Sequence, residues 1–162
     1  MFKADNEPMS FLTHFIGAIF AVVALVLLIV RAGIYGSVWH VVGFSIFGSA
    51  LVAIYLASSL YHIVPKESVW KSRFQVVAHS MIFLLIAGTY TPIMLTVLRG
   101  GWGWSIFGVV WALAIVGITF KFVGPIRRRI PHWIIVVIYA VMGWIALVAI
   151  VPLAHALSNA AL

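Results

Sequence analysis

Ser58-x-x-x-His62 is the spacing in this chain best suited to chemistry. Residues four apart return to the same face of an α-helix, so a hydroxyl and an imidazole stand one turn apart. Imidazole is the commonest metal ligand, and a neighbouring hydroxyl can hydrogen-bond a metal-bound water, which makes the pair a chemically reasonable half of a zinc site. A serine bonded back to its own helix, beside a histidine facing lipid headgroups, has the same spelling; spacing alone leaves both readings open. Ser59 and Tyr61 add hydroxyls nearby, and the remaining histidines are His14, His40, His79, His132 and His155. With no cysteine there is neither a disulfide framework nor a thiolate site, so any metal must rely on histidine, carboxylate or water.

The elements that carry these residues follow from composition. Of the 162 residues, 65% are hydrophobic and 8% charged, and the mean hydropathy is +1.20, far from the balance of a soluble domain. Five stretches, 11–30, 39–63, 74–98, 100–121 and 133–157, are free of charge except for Lys121 in the last turn of the fourth. Each is long enough to cross ~30 Å of hydrocarbon as a helix. The expected fold is all-α, a polytopic transmembrane helix bundle forming a single domain over 1–162. Lys3 precedes the first stretch as in a secretory signal, but that stretch is too long for an h-region and lacks a small-residue cleavage site, so it is read as a retained helix.

Orientation follows from counting. Lys3, Lys66, Lys71, Arg73, Lys121, Arg127, Arg128 and Arg129 fall on the side of the N-terminus, while Arg31 and Arg99 fall on the other. The positive-inside rule then places the N-terminus in the cytoplasm and, after five spans, Leu162 outside, in the cell membrane. The net charge of +7 resides in short connections rather than along one face, so anionic lipid headgroups are the expected counterpart and nucleic acid is not. Trp39, Trp102 and Trp104 mark one membrane boundary, and Trp70 and Trp133 the other. His14, His62, His79 and His132 lie toward the cytoplasmic ends of their spans. His40, His132 and His155 are read as interfacial anchors, whereas His14, His62 and His79, at similar depth on consecutive helices, are candidate metal ligands.

Connections are short: eight residues between the first two spans, Gly100-Gly101 closing the turn after the third, and 124–131, with prolines on both sides, as the clearest loop. Small residues recur four apart at Gly17 and Ala21, Ala53 and Ala57, and Gly108 and Ala112, a spacing that lets helices approach closely in lipid. Gly88 and Pro92 are expected to kink the third span, with Thr89 and Thr91 available to the carbonyls so released.

Four segments together resemble the haemolysin III family, which belongs with the progestin and adipoQ receptors: Ala57-Ser58-Ser59-Leu60-Tyr61-His62, Leu85-Ile86-Ala87-Gly88-Thr89-Tyr90-Thr91-Pro92, Arg99-Gly100-Gly101-Trp102-Gly103-Trp104 and Met142-Gly143-Trp144. The likeness runs in order from about Thr13-His14 to Pro152. It implies a seven-helix bundle with a cytoplasmic N-terminus, a zinc ion near the cytoplasmic side, and distant kinship with membrane ceramidases, whose chemistry would be attack of zinc-activated water on a lipid amide. The zinc set so implied is a Ser-x-x-x-His in helix two, an aspartate at the start of helix three and a His-x-x-x-His in helix seven.

Ser58 and His62 match the first part. Val77-Ala78-His79 departs from the second, with Ala78 where the carboxylate would stand, which removes the expected general base. Near the N-terminus the family carries Glu and Asn ahead of Thr-His; Glu7 is present and Ser10 occupies the Asn position. No His-x-x-x-His occurs in these residues, and the five spans leave two family helices unaccounted for. The expected protein is therefore a haemolysin III-like membrane protein, shortened at its C-terminus, with a degraded or incomplete zinc site and no independent catalysis. His62 is the metal candidate, His79 and His14 are weaker ones, and Ser58 supports the water. The alternatives are a zinc-dependent, ceramidase-like hydrolase completed by a partner supplying the missing helices, a membrane-active cytolysin, and a haem-binding electron carrier using paired histidines. A polar cavity face left to lipid would cost several kcal/mol, which points to membrane lipids and at least a homodimer as partners.

Overall fold

The computed structural model describes residues 7–123 and 129–160. Lys3, Arg127, Arg128, Leu162 and residues 124–128 of the expected loop lie outside them. Five helices, long and apolar enough to span a membrane, are found among the described residues: α1 (Pro8–Tyr35), α2 (Val38–Ile63), α3 (Val69–Leu95), α4 (Gly101–Phe122) and α5 (His132–Ala160). No strand occurs among those residues, so the expected all-α bundle is the observed one.

Helix ends depart from the charge-free limits. The expected eight-residue link between the first two spans is two residues, Gly36 and Ser37, because α1 continues past Arg31. At ~1.5 Å per residue its 28 residues reach roughly 42 Å, more than the ~30 Å of hydrocarbon requires, and near its end Arg31 stacks over the Tyr35 ring at 4.9 Å. Likewise α3 begins at Val69, ahead of Lys71 and Arg73, and stops at Leu95. The turn that follows rests on Gly100, whose φ of 152° is a conformation that L side chains rarely adopt.

Neighbours in sequence pack as neighbours in space: α1 on α2, α2 on α3, α3 on α4, and α5 against both α4 and α3. The layout is an open arc in which α1 packs on α2 and on no other described helix. Small residues set the crossings. A Cβ at Gly17 would lie 2.6 Å from the Tyr55 ring, and one at Gly43 would lie 2.7 Å from the Pro92 backbone. The expected Gly108–Ala112 contact is not made; nothing lies within 4 Å of a Cβ built at Gly108. The buried face of α4 instead runs through Gly103, Ile106, Val110, Ala114 and Gly117, the last receiving the Phe83 ring.

The helix α3 continues through Pro92 as one element. The threonine hydroxyls serve other carbonyls than the one a proline at 92 releases: Thr89 donates to Ile86 O and Thr91 to Ala87 O. Gly88 packs against Ala50 of α2, so Gly88 and Pro92 act together as the α2–α3 contact surface. Around α3 the core is pinned by hydroxyls: Tyr90 donates to Met142 O at 2.7 Å, Tyr139 to His79 O at 2.7 Å, and Trp111 Nε1 to Thr91 Oγ1 at 3.1 Å. At the opposite membrane level Trp39 meets Trp104 edge-on and carries Arg99 over its ring, as the expected aromatic boundary requires.

Candidate functional site

In an antiparallel hairpin the first turn of α1 and the last turn of α2 end at one level, and α3 starts there again. That topology brings His14, His62 and His79 to a single half-open cavity of about 420 Å³. Ser58 and Tyr61 complete its polar wall, and Leu51, Ile54, Ile82 and Leu85 form the apolar one. Two residues four apart on α2, Ser58 and His62, face this space together, as their spacing predicts. Ala78 also lines it, so a carboxylate at that position would point into the same cavity.

His62 is the most engaged of the three histidines. Its Nδ1 lies 2.5 Å from Glu7 Oε2, across 55 residues of sequence. Its ring stacks on His14 with centroids 5.2 Å apart, and the Tyr61 ring meets it edge-on at 5.0 Å. With Nδ1–H donating to the carboxylate, Nε2 is the ring nitrogen that Glu7 does not engage. The hydrogen bond from His62 holds the Glu7 carboxyl below the ordinary glutamate range; partial burial opposes it, and the charges of His62, Lys71 and Lys66 add to it. Lys71 is itself fixed, donating to Tyr61 O at 2.8 Å with its ammonium 4.0 Å above the Tyr61 ring.

The two serines of α2 divide their roles. Ser59 is buried and donates back to Tyr55 O at 2.7 Å, while Ser58 faces the cavity and makes no hydrogen bond to another described residue. His14 leans on Tyr55 as well as on His62. His79 lies beside His132, with centroids 6.3 Å apart, and its backbone is anchored by Tyr139. The other histidines stand apart from the cavity: Ser37 N–H donates to His40 Nδ1 at 3.1 Å, capping α2, and His155 is exposed near the far end of α5.

A catalytic zinc needs three protein ligands and an open position. Among the described residues no group of three or more His, Cys, Asp or Glu side chains is placed to hold a metal ion. His14, His62 and His79 share a cavity without converging on a point, so these residues do not fit a closed zinc centre. The Glu7–His62 pair escaped a reading by spacing because its partners lie on different helices. Its signal was the level of the membrane: Glu7 immediately precedes Pro8 at the start of α1, opposite the end of α2 where His62 sits.

The haemolysin-III-related family matches over residues 2–161. The chain is 40% identical over 160 residues to the hemolysin-3 homolog of Bacillus subtilis (strain 168), covering 99% of this chain and 73% of that protein. It is 43% identical over 148 residues to hemolysin-3 of Bacillus cereus, covering 91% of this chain and 66% of that one. No solved structure matches it significantly. The chain thus spans between about two thirds and three quarters of the length of these relatives.

Proposed function

The chain belongs to the haemolysin-III-related family, and on that premise we propose that it is a cell-membrane protein whose histidine cavity is an incomplete zinc site, with no zinc-dependent hydrolysis by its own residues alone. One observation carries the reading. His62 has the carboxylate partner that commonly orients a metal-binding imidazole, yet Ala78 stands where a second carboxylate would face the cavity and no group of three ligands is placed for a metal among the described residues. The cavity end faces the cytoplasm in this reading, since Lys66, Lys71, Arg73, Lys121 and Arg129 share its level while Arg31 and Arg99 lie at the other.

Metal content tests it. The chain is purified in mild detergent without chelator and its zinc measured by mass spectrometry beside a His62→Ala variant. Zinc well below one ion per chain, and no higher than in the variant, is the expected result. Near-stoichiometric zinc that disappears with His62 would overturn it.

A second reading, a zinc-dependent lipid-amide hydrolase whose missing ligands come from a partner chain, is favoured by the half-open cavity and by the flank of α1 that no other described helix covers. Zinc that appears only when a partner copurifies would select it. The relatives' name also suggests membrane damage; the outer surfaces of α1 and α5 are apolar, as in a lipid-embedded protein, and supply no polar stripe to that reading.

A further inference from the structure

Lys121 and His132 stand outside the histidine cavity. Lys121 lies in the last turn of α4 and His132 opens α5, and since these helices run antiparallel and pack together, the two turns meet at one end of the bundle. Between them is a separate pocket of about 190 Å³, lined by Phe120, Lys121, Ile130, His132 and Ile135. Two of these lining residues are basic and none is acidic. The charge of Lys121 also reaches His79, and the His132 ring lies 6.3 Å from that of His79. Basic groups from α3, α4 and α5 therefore share one corner, and an anion set among them relieves their mutual repulsion.

The depth of the pocket selects the anion. Phe122 and Trp133, next in sequence to the two basic residues, are both exposed, as aromatic side chains at headgroup level are. Within two turns of them Ile115 and Val116 on α4, and Val136 and Val137 on α5, also turn outward and are apolar. A free phosphate ion gains nothing from such a surface. A phospholipid covers it with acyl chains while its phosphate reaches the basic groups, which is how basic pockets between transmembrane helices hold anionic headgroups.

We propose that the pocket between α4 and α5 seats the phosphate of one anionic phospholipid, with Lys121 supplying the charge and the His132 imidazole an N–H donor. An ammonium binds phosphate as a point charge, and either neutral tautomer of histidine keeps one N–H to donate. The seat depends on the membrane placement of α4 and α5 and on no metal, so its test stands apart from that of the zinc site.

The full chain in mild detergent is titrated with dioleoyl phosphatidylglycerol or dioleoyl phosphatidylcholine, and the lipids retained are counted by native mass spectrometry. The first phosphatidylglycerol should bind ~10-fold tighter than the first phosphatidylcholine, the usual worth of a charge-assisted hydrogen bond. Lys121→Gln should abolish that preference and Lys121→Arg retain it, while His132→Ala weakens the first site by ~5-fold, the worth of one hydrogen bond. Lys66→Gln removes a like charge from the same end of the bundle outside the pocket, and should leave the first site within ~2-fold because salt screens exposed charges. Glycerol 3-phosphate, which has the phosphate without the acyl chains, should not displace the lipid at equal concentration. Equal affinity for the two lipids, a preference that survives Lys121→Gln, or a loss as large in Lys66→Gln would each overturn the proposal. Displacement by glycerol 3-phosphate would assign the pocket to free phosphate esters and overturn the lipid. The two-lipid comparison and the displacement both use the native chain, so they decide the matter whether or not a variant folds.

Discussion

At the scale of single residues, the setting of His62 depends on one carboxylate. Glu7 stands at the N-cap of α1 and reaches the last turn of α2, so it ties the two helix ends together while it orients His62. Its folded-state pKa is depressed, so the unfolded chain binds the proton more readily in acid. The stabilisation from this contact is therefore fully present above the ordinary glutamate range and is lost as pH falls through the lower, folded value. Thermal unfolding in detergent should show a fall in Tm over that acidic window for the native chain, and the same component should be missing from Glu7→Gln; parallel curves for the two would refute the link. Ser58, His62, His14 and His79 were legible in the sequence because polar groups inside apolar spans stand out. Glu7 was legible only as a family resemblance. Its role depends on two helix ends meeting at one membrane level and on a rotamer, and neither is written in local spacing.

At the scale of elements, five spans could be read directly because lipid excludes charge, and the structure holds all five. Their ends could not, since hydropathy reports where a side chain tolerates hydrocarbon while the backbone continues to hydrogen-bond beyond it; α1 past Arg31 and α3 ahead of Lys71 are the cases in point. Facing was harder still. Both lipid-facing and core-facing surfaces are apolar in a membrane, so the small-residue pair at Gly108 and Ala112 looks like a contact while the contact is at Gly117. The two glycines make a paired prediction. Gly117→Ala places a methyl group into the Phe83 ring at a fully buried site and should cost ~1–3 kcal/mol through overpacking. Gly108→Ala has open space around it and should be neutral or stabilising by up to ~1 kcal/mol, the helix-propensity difference. Denaturation in mixed micelles measures both, and equal effects would mean the register of α4 is wrong.

At the scale of the molecule, the arc itself raises the question of what lies against it. One side of α3 lines the histidine cavity through Ala78, His79, Ile82 and Leu85, and further along it lines a second, apolar cavity of about 380 Å³ shared with α5. The two run in succession along one helix, so the open side changes from polar at the end bearing Glu7 to apolar at the other. Lipid can cover the apolar half without penalty, but the cavity-facing Ser58 hydroxyl, which has no hydrogen-bond partner among the described residues, would cost several kcal/mol against acyl chains. Water entering from the rim meets part of that demand; a protein surface meets all of it. We therefore expect the chain to self-associate or recruit a partner in the membrane, with contact along the side shared by α2 and α3. A short amine-reactive crosslinker in native membranes should trap a species at least twice the chain's mass, since Lys71 lies beside Tyr61 of the cavity wall and Lys66 near enough to Glu7 to act on its charge. Ile82→Arg, which sets a charge on the α3 wall of the cavity, should abolish that species while leaving the helical content unchanged. A chain that stays strictly monomeric in situ, or a crosslinked species indifferent to Ile82→Arg, would show that water and lipid alone satisfy this face.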